Sequence, residues 1–133
     1  MINPDGVIAG NYRTSLFGKD LNRSFDEDQK HFFPETYYLK EYVYELKLKY
    51  KNHFDLFIDL HGHSIKKNIF IYGPEYPINE NSYYECRLLP KILSSITPMF
   101  RYYSCIFKIS SFKDSTARAV FNRNFKIKNC YTI

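Results

Sequence analysis

The sequence is poor in the features that mark secreted and membrane-embedded proteins. Its three cysteines, Cys86, Cys105 and Cys130, lie far apart and form no Cys-x-x-Cys pair. Any disulfide scheme would leave one of them unpaired, so we expect free thiols in a reducing compartment. No stretch approaches about 18 apolar residues, and the first residues lack the charged and apolar regions of a secretory signal peptide. A disulfide-stabilised secreted domain and a membrane-spanning protein are therefore not indicated.

Long runs of one charge are also absent. The chain carries 19 Lys plus Arg against 14 Asp plus Glu, which gives a formal net charge of +5. A basic surface attracts acidic partners of several kinds, including acidic peptides. The basic residues are scattered along the chain, however, so the pattern of a nucleic-acid-binding surface is weak. We expect neither a nucleic acid nor a membrane among its partners.

The hydrophobic pattern predicts strands that alternate with helices. A chain of 133 residues, 44% of them hydrophobic, suffices for about one small domain. A turn is expected at 3–6, a loop over 10–22, and a helix over 35–50 that begins at Pro34 or Thr36. The apolar face of this helix is predicted to comprise Tyr38, Leu39, Tyr42, Val43 and Leu46. Further helices are expected at 83–96 and 116–122, and strands at 54–60, 68–72, 104–109 and 126–133. This alternation predicts an α/β fold with helices on the faces of a sheet.

Two histidines, His61 and His63, follow the predicted strand 54–60. Sites in open α/β sheets form beyond the carboxyl ends of strands, and the intervening Gly62 allows a sharp turn there. A neutral imidazole in this position is a good zinc ligand, but a hydrogen-bonded structural histidine fits the same pattern. A catalytic zinc site takes three protein ligands, and the chain contains neither a His-Glu-x-x-His nor a His-x-x-Glu motif. The histidines alone leave both interpretations open.

An arginine and an asparagine stand side by side at Asn22 and Arg23, and Arg13 precedes them in the same polar segment. A guanidinium group offers a bidentate fork to a carboxylate, and an asparagine amide adds a donor. A solvated charged loop has the same composition, so this pair by itself does not establish a carboxylate-binding site.

Several segments taken together resemble the cytosolic carboxypeptidases, a subfamily of the zinc metallocarboxypeptidases. They occur in the family's order and span nearly the whole chain, which makes the resemblance far more specific than any single motif. The segments are Asn3-Pro4-Asp5-Gly6-Val7, Gly10-Asn11-Tyr12-Arg13, Gly18-Lys19-Asp20-Leu21-Asn22-Arg23, Asp59-Leu60-His61-Gly62-His63-Ser64, Lys66-Lys67-Asn68, Phe70-Ile71-Tyr72-Gly73, Lys113 with Thr116-Ala117-Arg118, and Asn129-Cys130-Tyr131-Thr132.

The resemblance implies a mixed sheet flanked by helices and a role for five residues. His61 would be the third ligand of a catalytic zinc ion. Arg13 would polarise the scissile carbonyl group and stabilise the developing oxyanion. Asn22 and Arg23 would hold the C-terminal carboxylate of the substrate, which makes such an enzyme an exopeptidase. Arg118 would line the pocket for the terminal side chain and select Glu or Asp, although a surface arginine on a short helix is the alternative.

Neighbouring basic residues receive weaker roles. His63 is expected to shape the pocket, and ligation of zinc by His63 in place of His61 is the less favoured alternative. Lys66 and Lys67 could attract a polyglutamate tail, although exposed lysines usually do no more than keep a protein in solution.

The family's remaining catalytic groups fall outside residues 1–133. The resemblance places the first two zinc ligands, a His-x-x-Glu motif, before Met1 and the general base, a glutamate, just after Ile133. The chain is therefore expected to be a partial peptidase catalytic domain, cytoplasmic, and inactive by itself. Its expected partners are protein or peptide C-termini rich in glutamate, such as those of polyglutamylated tubulin. The alternative is a non-catalytic remnant that binds acidic C-terminal peptides through Arg13, Asn22 and Arg23.

Overall fold

A computed structural model describes residues 1–133 of the chain, apart from the side chain of Asn52. Four α-helices and two β-strands form its regular structure, joined by loops and short 3₁₀ turns. In chain order these elements are α1 (Pro4–Ile8), α2 (Pro34–Tyr50), β1 (Leu56–Asp59), α3 (Asn81–Ile96), α4 (Ala117–Phe125) and β2 (Asn129–Thr132). Among the described residues, no helix combines the length and the apolar character that crossing a bilayer requires.

The three predicted helices are confirmed, with small shifts of their ends. The predicted helix 35–50 is α2, which begins at Pro34, where a missing N–H costs nothing. The predicted face of α2 is confirmed in part: Val43 is buried and Leu39 packs against the core, but Tyr38 and Tyr42 are exposed. Thr36 and Lys40, which were not predicted, are also buried. A lysine occupies this buried face because Lys40 Nζ donates to a carboxylate oxygen of Asp28.

The predicted turn at 3–6 becomes the start of a helix. Asn3 precedes α1 and its side-chain oxygen accepts from the backbone N–H of Gly6 at 3.2 Å. Gly6 is buried, and a Cβ atom at this position would lie 2.5 Å from the carbonyl oxygen of Thr14. The turn residues thus cap a short helix that packs closely on the loop 10–22.

The sheet is small and mixed. Strands β1 and β2 pair in parallel, with Leu56 opposite Asn129 and Asp59 opposite Thr132. Tyr72 forms an antiparallel bridge to Thr132 on the other side of β2. The expected α/β fold with a mixed sheet flanked by helices is confirmed, and the predicted strands at 54–60 and 126–133 are present in shortened form.

The predicted strands at 68–72 and 104–109 are reduced to single bridges. Ile69 pairs with Phe100, and Tyr72 pairs with Ile106. The prediction of full strands was wrong because Ile69, Tyr72 and Ile106 form isolated bridges, and their neighbours extend none of these bridges into a continuous ladder. The bridge from Tyr72 to Thr132 still places Tyr72 beside the carboxyl end of β2.

Helix α4 anchors the sheet to the rest of the chain. Its buried residues Val120 and Phe121 pack with Phe25, Val43 and Ile127 in the main core cluster. The ring of Phe121 meets those of Phe25 and Phe57 edge-to-face at 5.6 and 4.6 Å. This packing fixes the N-terminus of α4 next to the carboxyl ends of β1 and β2, where the candidate site lies.

Candidate functional site

The five residues predicted to form a site all line one cavity. This cavity has a volume of about 660 Å³ and opens beyond the carboxyl ends of β1 and β2. The five residues come from four separate parts of the sequence; they are Arg13, Asn22, Arg23, His61 and Arg118. Their shared position agrees with the predicted site, while the role of each residue stays a prediction.

Asp20 organises the N-terminal wall of this cavity. Its Oδ1 accepts from the backbone N–H of Asn22 at 2.9 Å and caps the 3₁₀ turn Leu21–Arg23. Its Oδ2 accepts from Nε of Arg13 at 2.7 Å. Because one carboxylate holds both segments, the guanidinium of Arg13 is tethered through Nε and can present its two terminal nitrogens to the cavity.

Asn22 links three segments through its side chain. The amide nitrogen donates to Asp59 Oδ2 at 3.2 Å and lies 3.1 Å from Nε2 of His61. The amide oxygen accepts from the backbone N–H of Ala117 at 3.0 Å, at the start of α4. Asn22 was predicted to hold a substrate carboxylate, and in this structure its amide is engaged with protein groups. Its neighbour Arg23 donates from Nη1 to the Asn22 carbonyl oxygen at 2.7 Å and exposes the rest of its fork.

His61 is oriented by a carboxylate. Its Nδ1 lies 2.8 Å from Oδ1 of Asp59, the last residue of β1. This hydrogen bond raises the pKa of His61, and burial opposes part of the rise. A neutral His61 donates from Nδ1 to Asp59 and keeps a lone pair on Nε2, which accepts from Asn22. A carboxylate behind a histidine is the arrangement that orients metal-ligating imidazoles in proteins.

The described residues do not by themselves fit a complete catalytic zinc site. A catalytic zinc ion takes three protein ligands and keeps an open position. Among the described residues there is no group of three His, Cys, Asp or Glu side chains that could hold a metal ion. His61 with Asp59 has the chemistry of a single ligand with its orienting partner, and one ligand is too few to support a reaction step through a metal.

Arg118 lies in the interior wall of the cavity. It is the second residue of α4, is 2% exposed, and donates from Nη1 to the carbonyl oxygen of Gly73. Its Nε is buried without a hydrogen-bond partner among the described residues. Burial lowers the pKa of its guanidinium group, which nevertheless remains a cation at neutral pH. A buried cation at a cavity wall favours an anionic ligand group.

The sequence motifs contained two residues of the cavity, Lys113 and Tyr72, to which no role was assigned. Lys113 Nζ lies 4.6 Å from the centre of the Tyr72 ring, and the guanidinium carbon of Arg118 lies 5.9 Å from it. Burial, followed by the charge of Arg118, lowers the pKa of Lys113. The signal available in the sequence was the spacing of the two residues: Lys113 lies four residues before α4, and Arg118 lies in its first turn.

Lys66 is a third cation on the same aromatic surface. Its Nζ lies 4.8 Å from the ring centre of Phe70 and 5.6 Å from that of Tyr72, and it donates to the Ser104 carbonyl oxygen at 3.3 Å. It lines the cavity, which makes it more than an exposed solubilising lysine.

The charge of the cavity lining has one sign. Among the described residues that line it, the charged side chains are cations and none is Asp or Glu; the cations are Arg13, Arg23, Lys66, Lys113 and Arg118. Like charges this close repel one another unless an anion joins them. The cavity is therefore suited to an anionic ligand.

Over its whole length the chain is similar to curated cytosolic carboxypeptidases. It is 37% identical over 147 aligned residues to cytosolic carboxypeptidase 1 of Danio rerio and 42% identical over 134 to cytosolic carboxypeptidase 2 of Mus musculus. These alignments cover 100% of this chain but only 12% and 15% of the two relatives. No family model matches the chain. The resemblance seen in the sequence motifs is confirmed.

Solved structures share the fold. A metallo-carboxypeptidase from Burkholderia cenocepacia superposes with a TM-score of 0.80 at 22% identity, over 98% of this chain and 33% of that chain. A metallo-carboxypeptidase from Pseudomonas aeruginosa, in complex with (2-guanidinoethylmercapto)succinic acid, gives a TM-score of 0.69 at 20% identity. The predicted metallocarboxypeptidase fold is thus confirmed for this part of the domain.

Proposed function

This chain belongs to the cytosolic carboxypeptidase family, and from that premise we propose that it forms the substrate-binding part of a zinc metallocarboxypeptidase that removes C-terminal glutamate. The observation that carries the proposal is the cavity lined by five cationic side chains and, among its described residues, by no Asp or Glu side chain. A C-terminal glutamate offers two carboxylates, one on the main chain and one on the side chain. Other acidic C-termini share this chemistry.

The two carboxylates have separate partners in this proposal. Arg23, with an exposed guanidinium fork, binds the main-chain carboxylate, and a chain that continues past its last residue has no such group to offer. Arg118 and Lys113 bind the side-chain carboxylate from the interior wall, where burial strengthens a charge-assisted hydrogen bond. Arg13 then lies near the last peptide bond and stabilises negative charge on its carbonyl oxygen.

Asn22 acts mainly as a support in this proposal. Its contacts to Asp59, His61 and Ala117 hold the carboxylate-binding loop, β1 and α4 in one arrangement. Such an arrangement preorganises the cations before a ligand arrives, and preorganisation lowers the cost of binding. His61 supplies one ligand of the proposed zinc ion.

The cellular substrate and location belong to the same proposal. Tails rich in glutamate, such as those of polyglutamylated tubulin, have the required charge, and the chain's net charge of +5 favours their approach. The relatives are named cytosolic, and we propose the cytoplasm for this chain as well. The 133 residues by themselves are expected to bind such a tail without hydrolysing it.

Peptide binding tests this proposal directly. Calorimetry at low salt would compare a peptide ending in Glu-Glu with the same peptide ending in Gln-Gln and with its C-terminal amide. We expect the Glu-Glu acid to bind tightest. Arg118→Met should weaken it by about 10- to 100-fold, since a hydrogen bond to a charged group contributes about 1.5–3 kcal/mol. Arg101→Met, a change of an exposed arginine outside the cavity, is the matched control.

Each arm of this experiment can contradict the proposal. Equal affinity for the acid and the amide would reject a carboxylate-binding role for the site, and equal affinity for the Glu and Gln peptides would reject selection of acidic side chains. The alternative, a non-catalytic protein that binds acidic C-termini, is supported by the five cationic side chains that residues 1–133 contribute to the cavity. This alternative predicts the same binding. It also requires that the full-length protein remove no C-terminal residue from such a peptide.

A further inference from the structure

His63 lies in the same cavity as the cations, yet its ring has a different chemical character. It lines the cavity together with Arg13, Arg23 and Lys66. Its Nδ1 accepts hydrogen bonds from two backbone N–H groups, those of Ile65 at 3.2 Å and Lys66 at 3.0 Å. An atom that accepts from two donors carries no proton, so these contacts assign the proton of the neutral ring to Nε2.

The ring is also held in place. Its centre lies 5.4 Å from that of Phe70, with an angle of 72° between the two planes. Phe70 is a buried residue, 6% exposed, and therefore a firm support. Since Nδ1 faces the backbone of 65–66, Nε2 on the opposite side of the imidazole faces away from that backbone. No hydrogen-bond partner of Nε2 occurs among the described residues, and the side chain is exposed to the cavity.

From this geometry we propose that His63 is a substrate-binding residue whose Nε2–H donates to a main-chain carbonyl oxygen of a bound peptide. The inference rests on the proposed function, namely that the cavity binds peptide C-termini. The neighbouring cations form stronger hydrogen bonds with carboxylates than a neutral N–H does, so the carboxylates of a ligand go to the arginines and lysines. A neutral, oriented donor is left for a neutral acceptor, and the acceptor that every peptide carries is its amide carbonyl.

This assignment has a consequence for specificity. A free amino acid carries carboxylates but no peptide carbonyl, so His63 adds nothing to its binding. A peptide satisfies both the cations and His63. The residue therefore favours a glutamate at the end of a chain over free glutamate, which is also the product of its removal. Such a difference helps the product to leave while the next chain end binds.

The substitution His63→Asn tests the Nε2–H donor separately from the support that Nδ1 gives to the backbone of residues 65–66. An asparagine Oδ1 can accept from the backbone N–H groups two and three residues ahead, as in an Asx turn, and so can replace Nδ1. It lacks an N–H at the position of Nε2. His63→Ala removes both functions and serves as the comparison for damage to the loop.

The test measures the affinities of N-acetyl-Glu-Glu and of free glutamate for the 133-residue chain and for its His63→Asn variant. We expect the affinity for N-acetyl-Glu-Glu to fall by about three- to tenfold in the variant, the range of one neutral hydrogen bond, and that for free glutamate to stay unchanged. Equal affinity of both proteins for N-acetyl-Glu-Glu would overturn the role of His63 while leaving the proposed function intact. A parallel loss for both ligands would show that His63 acts only as a loop support, which also overturns it.

A second measurement is independent of any ligand. Long-range nitrogen–proton NMR correlations of the His63 ring distinguish an unprotonated Nδ1 from a protonated one. Detection of the proton on Nε2 supports the assignment, and detection of it on Nδ1 of the neutral ring overturns it. If the unchanged protein binds neither ligand, the proposed function fails for this chain and the inference fails with it, an outcome that a defect confined to the His63 variant cannot mimic.

Discussion

The side-chain nitrogen of Asn22 lies 3.1 Å from Nε2 of His61, although the two residues are 39 positions apart in the sequence. The same nitrogen donates to Asp59, which in turn accepts from Nδ1 of His61. Asn22, Asp59 and His61 thus form a closed set of contacts at the end of β1. This set connects the loop that carries Asn22 to His61, the residue predicted to ligate zinc.

Replacing Asn22 should destabilise the fold. Asn22→Ala removes the acceptor of the Ala117 N–H at the start of α4 and the donor to Asp59 and His61. The loss leaves partly buried polar groups without partners, which costs about 1–3 kcal/mol of the free energy of unfolding. Urea titration followed by circular dichroism would measure it. Asn124→Ala, a change of an exposed asparagine, should stay within about 0.5 kcal/mol, and equal effects of the two changes would refute the structural role of Asn22.

Tyr72 should contribute to anion binding without touching the anion. Its ring lies within 6 Å of the cationic groups of Lys66, Lys113 and Arg118, and the negative face of the ring offsets part of their mutual repulsion. Tyr72→Leu should therefore weaken the binding of a Glu-Glu peptide by about two- to fivefold, while Tyr72→Phe keeps the ring and the affinity. Calorimetry at matched ionic strength checks this. A loss of equal size in both variants would point to the phenol hydroxyl and contradict the role of the ring.

The stability of the protein should fall above pH 9. Burial raises the pKa of the Cys130 thiol from its ordinary value of 9.0 to about 12. Below pH 9 both the folded and the unfolded chain keep the proton, so the contribution of the thiol is constant. As the pH rises toward 12, the unfolded chain loses the proton first, and stability declines by about 1.4 kcal/mol for each pH unit.

Denaturant titrations between pH 8 and pH 11 would measure this decline. Cys130→Ala should flatten it, whatever its effect on stability at pH 8. The decline should not vanish, because burial also raises the pKa values of Cys86 and Tyr131. Cys105→Ala, a change of a thiol that is only partly buried, should flatten it less. An identical pH dependence of the unchanged protein and Cys130→Ala would contradict the assigned pKa.

Much of the local structure could be predicted from the sequence. The apolar run before His61 is β1, and the segment Thr116-Ala117-Arg118 opens α4 as its pattern indicates. These elements depend on neighbouring residues only, since a proline, a glycine or an apolar periodicity acts within one or two turns of chain. The buried face of α2 was predicted only in part: Val43 is buried, but Tyr38 and Tyr42 are not. The burial of Lys40 was missed because its ion pair with Asp28 joins two segments, and hydrophobic periodicity does not register such a contact.

The candidate site was likewise predicted only in part from the sequence. The motifs identified the residues that carry charge or could ligate a metal, and they showed the family. They did not show that the amide of Asn22 forms hydrogen bonds with protein groups or that three cationic side chains lie around the ring of Tyr72. Nor did they show that Nδ1 of His63 accepts hydrogen bonds from the backbone of its own loop. Each of these depends on distances and orientations that only the folded chain defines.

The sequence by itself determined the resemblance to the family, the order of three helices and two strands, and which side chains have the chemistry to bind carboxylates. Only the tertiary structure decided that these side chains share one cavity and what each is free to do there. The physical reason is that the type of a residue and its local spacing specify whether its side chain can donate a hydrogen bond, accept one or carry a charge. Whether it does so for a ligand depends on the partners that folding places around it.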